Sequence, residues 1–151
     1  MLLFTEAGGS YKEVPGEYSL VIHIAGCPNA CENCQSPWLQ NEDGDVLKDS
    51  FEKLLHLYYA VTCVCFLGEG NDESNRAEFI AMCEYAGTRG LKTCLYSGCA
   101  GEPEPWMRCF DFVKRGPYIE ARGPLISPST NQRFYKNESD SFSDVTGMFW
   151  E

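Results

Sequence analysis

Apolar residues recur along this chain with two spacings. Tyr18-Ser-Leu-Val-Ile-His-Ile-Ala25 is almost continuously apolar, which predicts a buried strand with Leu20, Ile22 and Ile24 on one face and Val21, His23 and Ala25 on the other. Further on, Phe51, Leu54, Leu55, Tyr58 and Tyr59 fall at i, i+3, i+4, i+7 and i+8, one stripe of an amphipathic helix that Asp49 or Ser50 is placed to cap. Val61 to Leu67 predicts a second buried strand. A second helix follows, capped by Ser74, with Phe79, Ile80, Met82, Cys83 and Ala86 inward and an end near Gly87 or Gly90. Leu91 to Tyr96 and Phe110 to Lys114 predict a third and a fourth strand, with one short helical turn around Trp106 between them. A polar start precedes the first strand. Near the other end, Phe134 to Lys136 reads as a short strand, Asn137 to Asp144 as a polar stretch, and Val145 to Trp150 as an edge strand.

Strand, helix, strand, helix, strand is the order of parallel βαβ units, and in such folds ligands bind at the carboxyl ends of the strands. The segment from Gly26 to Asp45, the turn Gly68-Glu-Gly70 and the turn Ser97-Gly98 follow strands one, two and three, so all three are expected on one rim. No internal repeat or linker interrupts the pattern, and residues 1–151 read as a single domain.

Composition narrows the range of functions. Apolar residues make up 44% of the chain and charged residues 23%, the balance of a globular domain and not of a disordered one. Twelve basic against 22 acidic side chains leave a net charge of −10, which opposes binding to nucleic-acid phosphates or to an anionic membrane surface. Met1 to Glu6 lacks the cationic region of a signal peptide, and no apolar run reaches transmembrane length. Nine cysteines are an odd number scattered through apolar segments. That distribution suits free thiols in a reducing cytoplasm better than a disulfide framework.

Three of those thiols stand apart. Cys27, Cys31 and Cys34 form a CxxxCxxC array directly after the first strand, among the turn formers Gly26, Pro28 and Asn29. Iron–sulfur clusters are usually held by four thiolates, so three local ligands leave one iron open to another molecule. A structural zinc ion completed by a distant residue is the alternative. Cys63, Cys65, Cys83, Cys94 and Cys109 read as core residues, as does Cys99, although it lies beside the rim. His23 reads as a hydrogen-bonded strand residue and His56 as part of a helix face. Lys114 is either a surface lysine or an inward one able to pair with a carboxylate.

The CxxxCxxC spacing after a first strand resembles the radical S-adenosylmethionine superfamily. Lys92-Thr-Cys-Leu-Tyr-Ser-Gly98, Phe110-Asp-Phe-Val-Lys-Arg-Gly-Pro-Tyr118 and above all Ser127-Pro-Ser-Thr-Asn-Gln-Arg-Phe134 are similar to the activating proteins of anaerobic ribonucleoside-triphosphate reductases, a likeness that runs from Val14 to Tyr135. The resemblance implies an open, partial (β/α) barrel with a mostly parallel sheet. It implies a [4Fe–4S] cluster on Cys27, Cys31 and Cys34, whose fourth iron takes the amino and carboxylate groups of S-adenosylmethionine. It also implies cleavage of that cofactor to a 5′-deoxyadenosyl radical that abstracts hydrogen from a glycine of the reductase catalytic subunit, with flavodoxin or ferredoxin as the electron donor. By the same resemblance the backbone at Asn33, Cys34 and Gln35 lies under the adenine, and Gly68, Glu69 and Gly70 receive the methionine amino group. Ser97 and Lys114 complete the cofactor site. Other readings left open are an activase of a different glycyl radical enzyme, a peptide-modifying radical enzyme, and a non-catalytic iron–sulfur or zinc module.

Overall fold

The computed structural model describes residues 2–25, 44–69, 73–139 and 141–150, with Glu69 described by its backbone alone. Strands β1 (Leu3–Ser10), β2 (Ser19–Ile24) and β3 (Asp45–Val46) lead into helix α1 (Leu47–Leu57). Then come β4 (Cys63–Glu69), α2 (Arg76–Thr88), β5 (Lys92–Ser97), β6 (Phe112–Arg115), β7 (Arg133–Asn137) and β8 (Phe142–Asp144). Single 3₁₀ turns at Glu73–Asn75, Pro105–Cys109 and Thr146–Phe149 fill the connections.

All eight strands form one sheet in the order β3-β1-β2-β4-β5-β6-β7-β8. The central pairings β2–β4, β4–β5 and β5–β6 are parallel. The outer pairings β1–β2, β1–β3, β6–β7 and β7–β8 are antiparallel. The expected open (β/α) barrel with a mostly parallel sheet is therefore wrong: the sheet is mixed, and its described residues carry only two α-helices. The physical reason lies in the connections. A parallel crossover needs about a dozen residues and usually a helix, and only α1 and α2 supply one. Between β5 and β6 the chain makes a 3₁₀ turn, and beyond β6 it doubles back twice.

Alternation along the parallel strands builds two cores, one on each face. Leu20, Ile22, Ile24, Val64, Phe66, Leu95 and Val113 face the helices and pack with Phe51 and Leu55 of α1 and Phe79, Met82 and Ala86 of α2. Phe66 sits centrally, with its ring edge-on to Phe79 at 5.5 Å. The opposite face carries Val21, Cys63, Cys65, Cys94, Phe112 and Phe134, and the chain around Val14, Leu125 and Phe149 covers it. Helices thus seal one face and irregular segments the other.

Several local expectations shift by a few residues. Helix α1 begins at Leu47, earlier than a cap at Asp49 or Ser50 allows, with Val46 at its N-cap and no side-chain cap. Pairing of Asp45 and Val46 with β1 and burial of Leu47 set that start, and Asp49 lies in the first turn, where its charge suits the helix dipole. The last strand is Phe142–Asp144, inside the stretch expected to be merely polar, while the apolar end is a 3₁₀ turn. Asp144 makes that turn: its Oδ1 accepts from the Thr146 amide at 3.0 Å and the Thr146 hydroxyl at 2.6 Å. The Thr146 hydroxyl oxygen in turn accepts from the Phe134 amide at 2.8 Å.

Candidate functional site

Because β2, β4, β5 and β6 run parallel and side by side, their carboxyl ends share one edge of the sheet. β2 ends at Ile24, and the segment bearing the cysteine array follows. Cys27, Cys31, Asn33, Cys34, Gln35 and Gly70 lie outside the described residues. Of the expected site, Gly68, the Glu69 backbone, Ser97 and Lys114 can be placed.

Gly68 occupies a bulge. The β4–β5 register steps from Leu67 opposite Tyr96 to Glu69 opposite Ser97, so Gly68 has no partner in the ladder. Its φ of +112° is one that only glycine adopts without strain. The requirement for glycine at this strand end is thus a backbone requirement, which a side-chain pattern would not explain.

Ser97 and Lys114 do not act as one unit. Alternation turns the Lys114 side chain to the loop-covered face beside Phe112, while Ser97 points to the helix face. The Lys114 ammonium donates to the Gly116 carbonyl at 2.6 Å and the Ser97 carbonyl at 3.5 Å, and it stands 5.8 Å from the centre of the Tyr96 ring. Lys114 is buried, 8% exposed, so the surface-lysine reading falls. The Ser97 hydroxyl belongs to Arg115, whose guanidinium donates to it at 2.9 Å.

Arg115 is the residue that sequence reasoning passed over. It is 5% exposed and also donates to the carbonyls of Ala100 at 3.3 Å and Gly101 at 3.4 Å. One guanidinium thereby ties the end of β6 to the loop after β5 through three acceptors, a task that suits its rigid fork of donors. The available signal was the Lys114-Arg115 doublet, two cations closing an apolar strand.

The Thr-Asn-Gln-Arg segment closes the loop between β6 and β7 through its own polar groups. The Thr130 hydroxyl donates to the Gly123 carbonyl at 3.0 Å and accepts from the Gln132 amide at 3.0 Å. Asn131 Nδ2 donates to the Pro117 carbonyl at 3.0 Å. Arg122 Nε donates to the Ser129 carbonyl at 2.7 Å, and the Ser129 hydroxyl donates back to the Arg122 carbonyl at 2.7 Å. This loop starts at Gly116, beside the Lys114 ammonium, so its shape bears directly on the strand-end edge.

Beneath that edge the loop-covered face packs buried thiols and aromatic rings. Cys63, Cys65 and Cys94 are free and buried. Burial is the main cause that pushes the Cys63 and Cys94 thiols up, with neighbouring Cys65 adding to it. Burial likewise raises the Tyr96 phenol, which donates to the Glu13 carbonyl at 2.7 Å. Cys63, Cys94 and Tyr96 are thereby neutral at pH 7, and the three cysteines pack as core, as their strand positions suggested.

Among the described residues no group of three or more His, Cys, Asp or Glu side chains is arranged to hold a metal ion. The chemistry of the donor set in Cys27, Cys31 and Cys34, three thiols within eight residues, still fits an iron–sulfur cluster with one iron left open. Among the described residues no helix is long and apolar enough to cross a membrane. No family model, curated protein or solved structure matches the chain.

Proposed function

We propose that this protein is an activase: it holds a [4Fe–4S] cluster on Cys27, Cys31 and Cys34, binds S-adenosylmethionine, and installs a glycyl radical on the catalytic subunit of an anaerobic ribonucleotide reductase. The observation that carries this reading is the position of the cysteine array. It follows β2, and the neighbouring parallel strands end in the Gly68 bulge and the buried Lys114 ammonium. Cys27, Cys31 and Cys34 would hold the cluster, which would supply the one-electron reduction needed to cleave S-adenosylmethionine for radical chemistry on the partner's glycine.

The remaining work falls to the chain. The Gly68 bulge interrupts strand pairing at the edge, which makes backbone groups there available to a ligand. Lys114 offers a positive charge to a carboxylate at the cost of its bonds to the Gly116 and Ser97 carbonyls. Arg115 holds the 97–101 loop so that this edge keeps its shape. The apolar side chains beneath Lys114 on that face, Cys65, Phe112 and Phe134 among them, help to exclude water from the site. A net charge of −10 argues against nucleic acid or an anionic membrane as partner and suits a cytoplasmic protein substrate, with flavodoxin or ferredoxin as reductant.

Anaerobic reconstitution with iron and sulfide tests the reading. The expected protein is brown, and its reduced-cluster paramagnetic resonance spectrum shifts on adding S-adenosylmethionine. Addition of the reductase should then produce a glycyl signal on that partner. A colourless protein that takes up zinc and no iron would sink the proposal. Cofactor cleavage without a glycyl signal on the reductase, but with one on another glycyl radical enzyme, would move the partner assignment.

A further inference from the structure

We propose that the outer edge of β1 is an interface between two copies of this chain, which add strand to strand, antiparallel, about Gly9. Gly9 pairs with Leu20 at the amino end of β2, remote from the cysteine array, and the inference does not rest on the activase reading.

One side of β1 is fully used and the other is not. Beyond the bulge between Phe4 and Glu6, every residue from Glu6 to Ser10 has a partner in β2. On the outer side β3 pairs only with Leu3 and Phe4, and no other described strand reaches Thr5 to Ser10. Gly44, just before β3, stands against Phe4 and Ala25, at the end of β1 far from Gly9. An open row of backbone N–H and C=O groups is a template for another strand, which natural edges discourage with lysine, proline or short length. β1 has eight residues and contains neither lysine nor proline, whereas β8, at the other margin of the sheet, has only three residues. Gly8 also lets a second backbone approach, since nothing lies within 4 Å of where a Cβ would stand.

Apolar side chains flank this edge. The Tyr58 hydroxyl donates to the Ala7 carbonyl at 3.4 Å, which sets the end of α1 against β1. The neighbours of Tyr58 in the chain, Leu57 and Tyr59, are 70% and 89% exposed. Tyr11, just past the end of β1, is 72% exposed and stacks on Tyr18 with ring centres 4.6 Å apart. Exposed tyrosine and leucine beside an open ladder supply the apolar contact that a strand pair needs to hold in water.

Charge selects the occupant. Glu6 is the one charged residue of β1, and its side chain stays 59% exposed although it approaches His23 at 3.7 Å. Lys12, also exposed, follows the strand. Glu6 stands three residues before Gly9 and Lys12 three residues after it. With Gly9 opposite the partner's Gly9, antiparallel pairing sets each Glu6 across from the partner's Lys12, so two opposite-charge pairs form about one two-fold axis. An edge with one acid and one base is locally neutral and matches itself, while the net charge of −10 opposes association through the chain's surface at large.

Sedimentation of the whole protein under reducing, anaerobic conditions tests the interface without interference from thiol cross-links. The expected wild type passes from monomer to dimer as its concentration rises. Glu6→Lys and Lys12→Glu each set like charges face to face and should raise the dimer dissociation constant about tenfold. The double variant exchanges the two signs and should return the constant toward the wild-type value. Amide hydrogen exchange locates the contact in the wild type alone: Thr5 to Ser10 should slow as the dimer forms. A monomer at every concentration overturns the proposal, as does a dimer indifferent to the single reversals, or one whose double variant is weaker than either. A dimer whose β1 amides exchange as fast as the monomer's also overturns it. So do β1 amides that slow only on adding another protein, such as a reductase catalytic subunit, which would give the edge to a different partner.

Discussion

The Arg115 guanidinium donates to the Ser97 hydroxyl at 2.9 Å, joining the carboxyl ends of β6 and β5 on the face packed by the helices. The same side chain reaches the Ala100 and Gly101 carbonyls. Replacing it with methionine keeps much of the apolar stem but leaves several acceptors short of donors. Arg115→Met should cost about 3 kcal/mol, measured by urea unfolding, because a buried acceptor stripped of its donor bears its own desolvation penalty. A loss below about 0.5 kcal/mol would mean that the edge does not depend on this residue.

Lys114 sits on the other face of the same strand and has a different expected role. Lys114→Met should leave iron uptake intact while weakening or abolishing the spectral response to S-adenosylmethionine. Cys31→Ala, in contrast, should abolish iron uptake, and Cys63→Ala should leave iron content unchanged at a cost of about 1 kcal/mol in stability. Iron analysis, spectroscopy in a cofactor titration and denaturant unfolding separate the three behaviours.

Gly123 turns the β6–β7 loop with φ of +82°, and a Cβ there would stand 2.8 Å from Ser127 Cβ. Gly123→Ala combines a conformation that an L-residue resists with a close contact. A loss of about 1–3 kcal/mol in unfolding free energy is expected. Ser127→Gly in the Gly123→Ala background removes the contact and leaves the backbone strain, so partial recovery should follow.

Asp144 links stability to pH. Partial burial by itself pushes its carboxyl up, but the Thr146 hydroxyl and amide and the Arg133 guanidinium together outweigh burial and hold it below the ordinary value. With a folded pKa under the unfolded one, its contribution is present above about pH 4 and is lost as pH falls through the folded value. The thermal midpoint of Asp144→Asn should therefore change less than that of the wild type between pH 5 and pH 2. Parallel curves would contradict the linkage.

How much of this was legible in advance varies with the range of the interaction. Phe51, Leu54, Leu55 and Tyr58 of the expected stripe and the alternation of Leu20, Ile22 and Ile24 against Val21 are local patterns, and they appear in the structure as the two cores; Tyr59, the last residue of that stripe, instead lies beyond the end of α1 and is 89% exposed. Strand β1 was invisible because Leu3 to Ser10 contains two glycines and little that favours a strand. It exists through its register with β2, from Phe4 opposite Ile24 to Ser10 opposite Ser19. The same holds for β8, a short polar strand defined by Tyr135, Lys136 and Asn137 across from it. In the candidate site the cysteine array, the glycine turn after β4 and Lys114 could be singled out by residue type. The partner of Ser97 could not, since nothing local links a serine to an arginine in another strand.

By itself, then, the sequence determined the faces of the parallel strands and the thiol donor set, because these follow from side-chain spacing and from chemistry carried by single residues. Only the tertiary structure decided that the outer strands run antiparallel, that the chain at Gly68 takes a φ reserved for glycine, and that Arg115 and not Lys114 holds Ser97's hydroxyl. Strand direction and side-chain partnership depend on hydrogen bonds between segments far apart in the chain, and no local period records them.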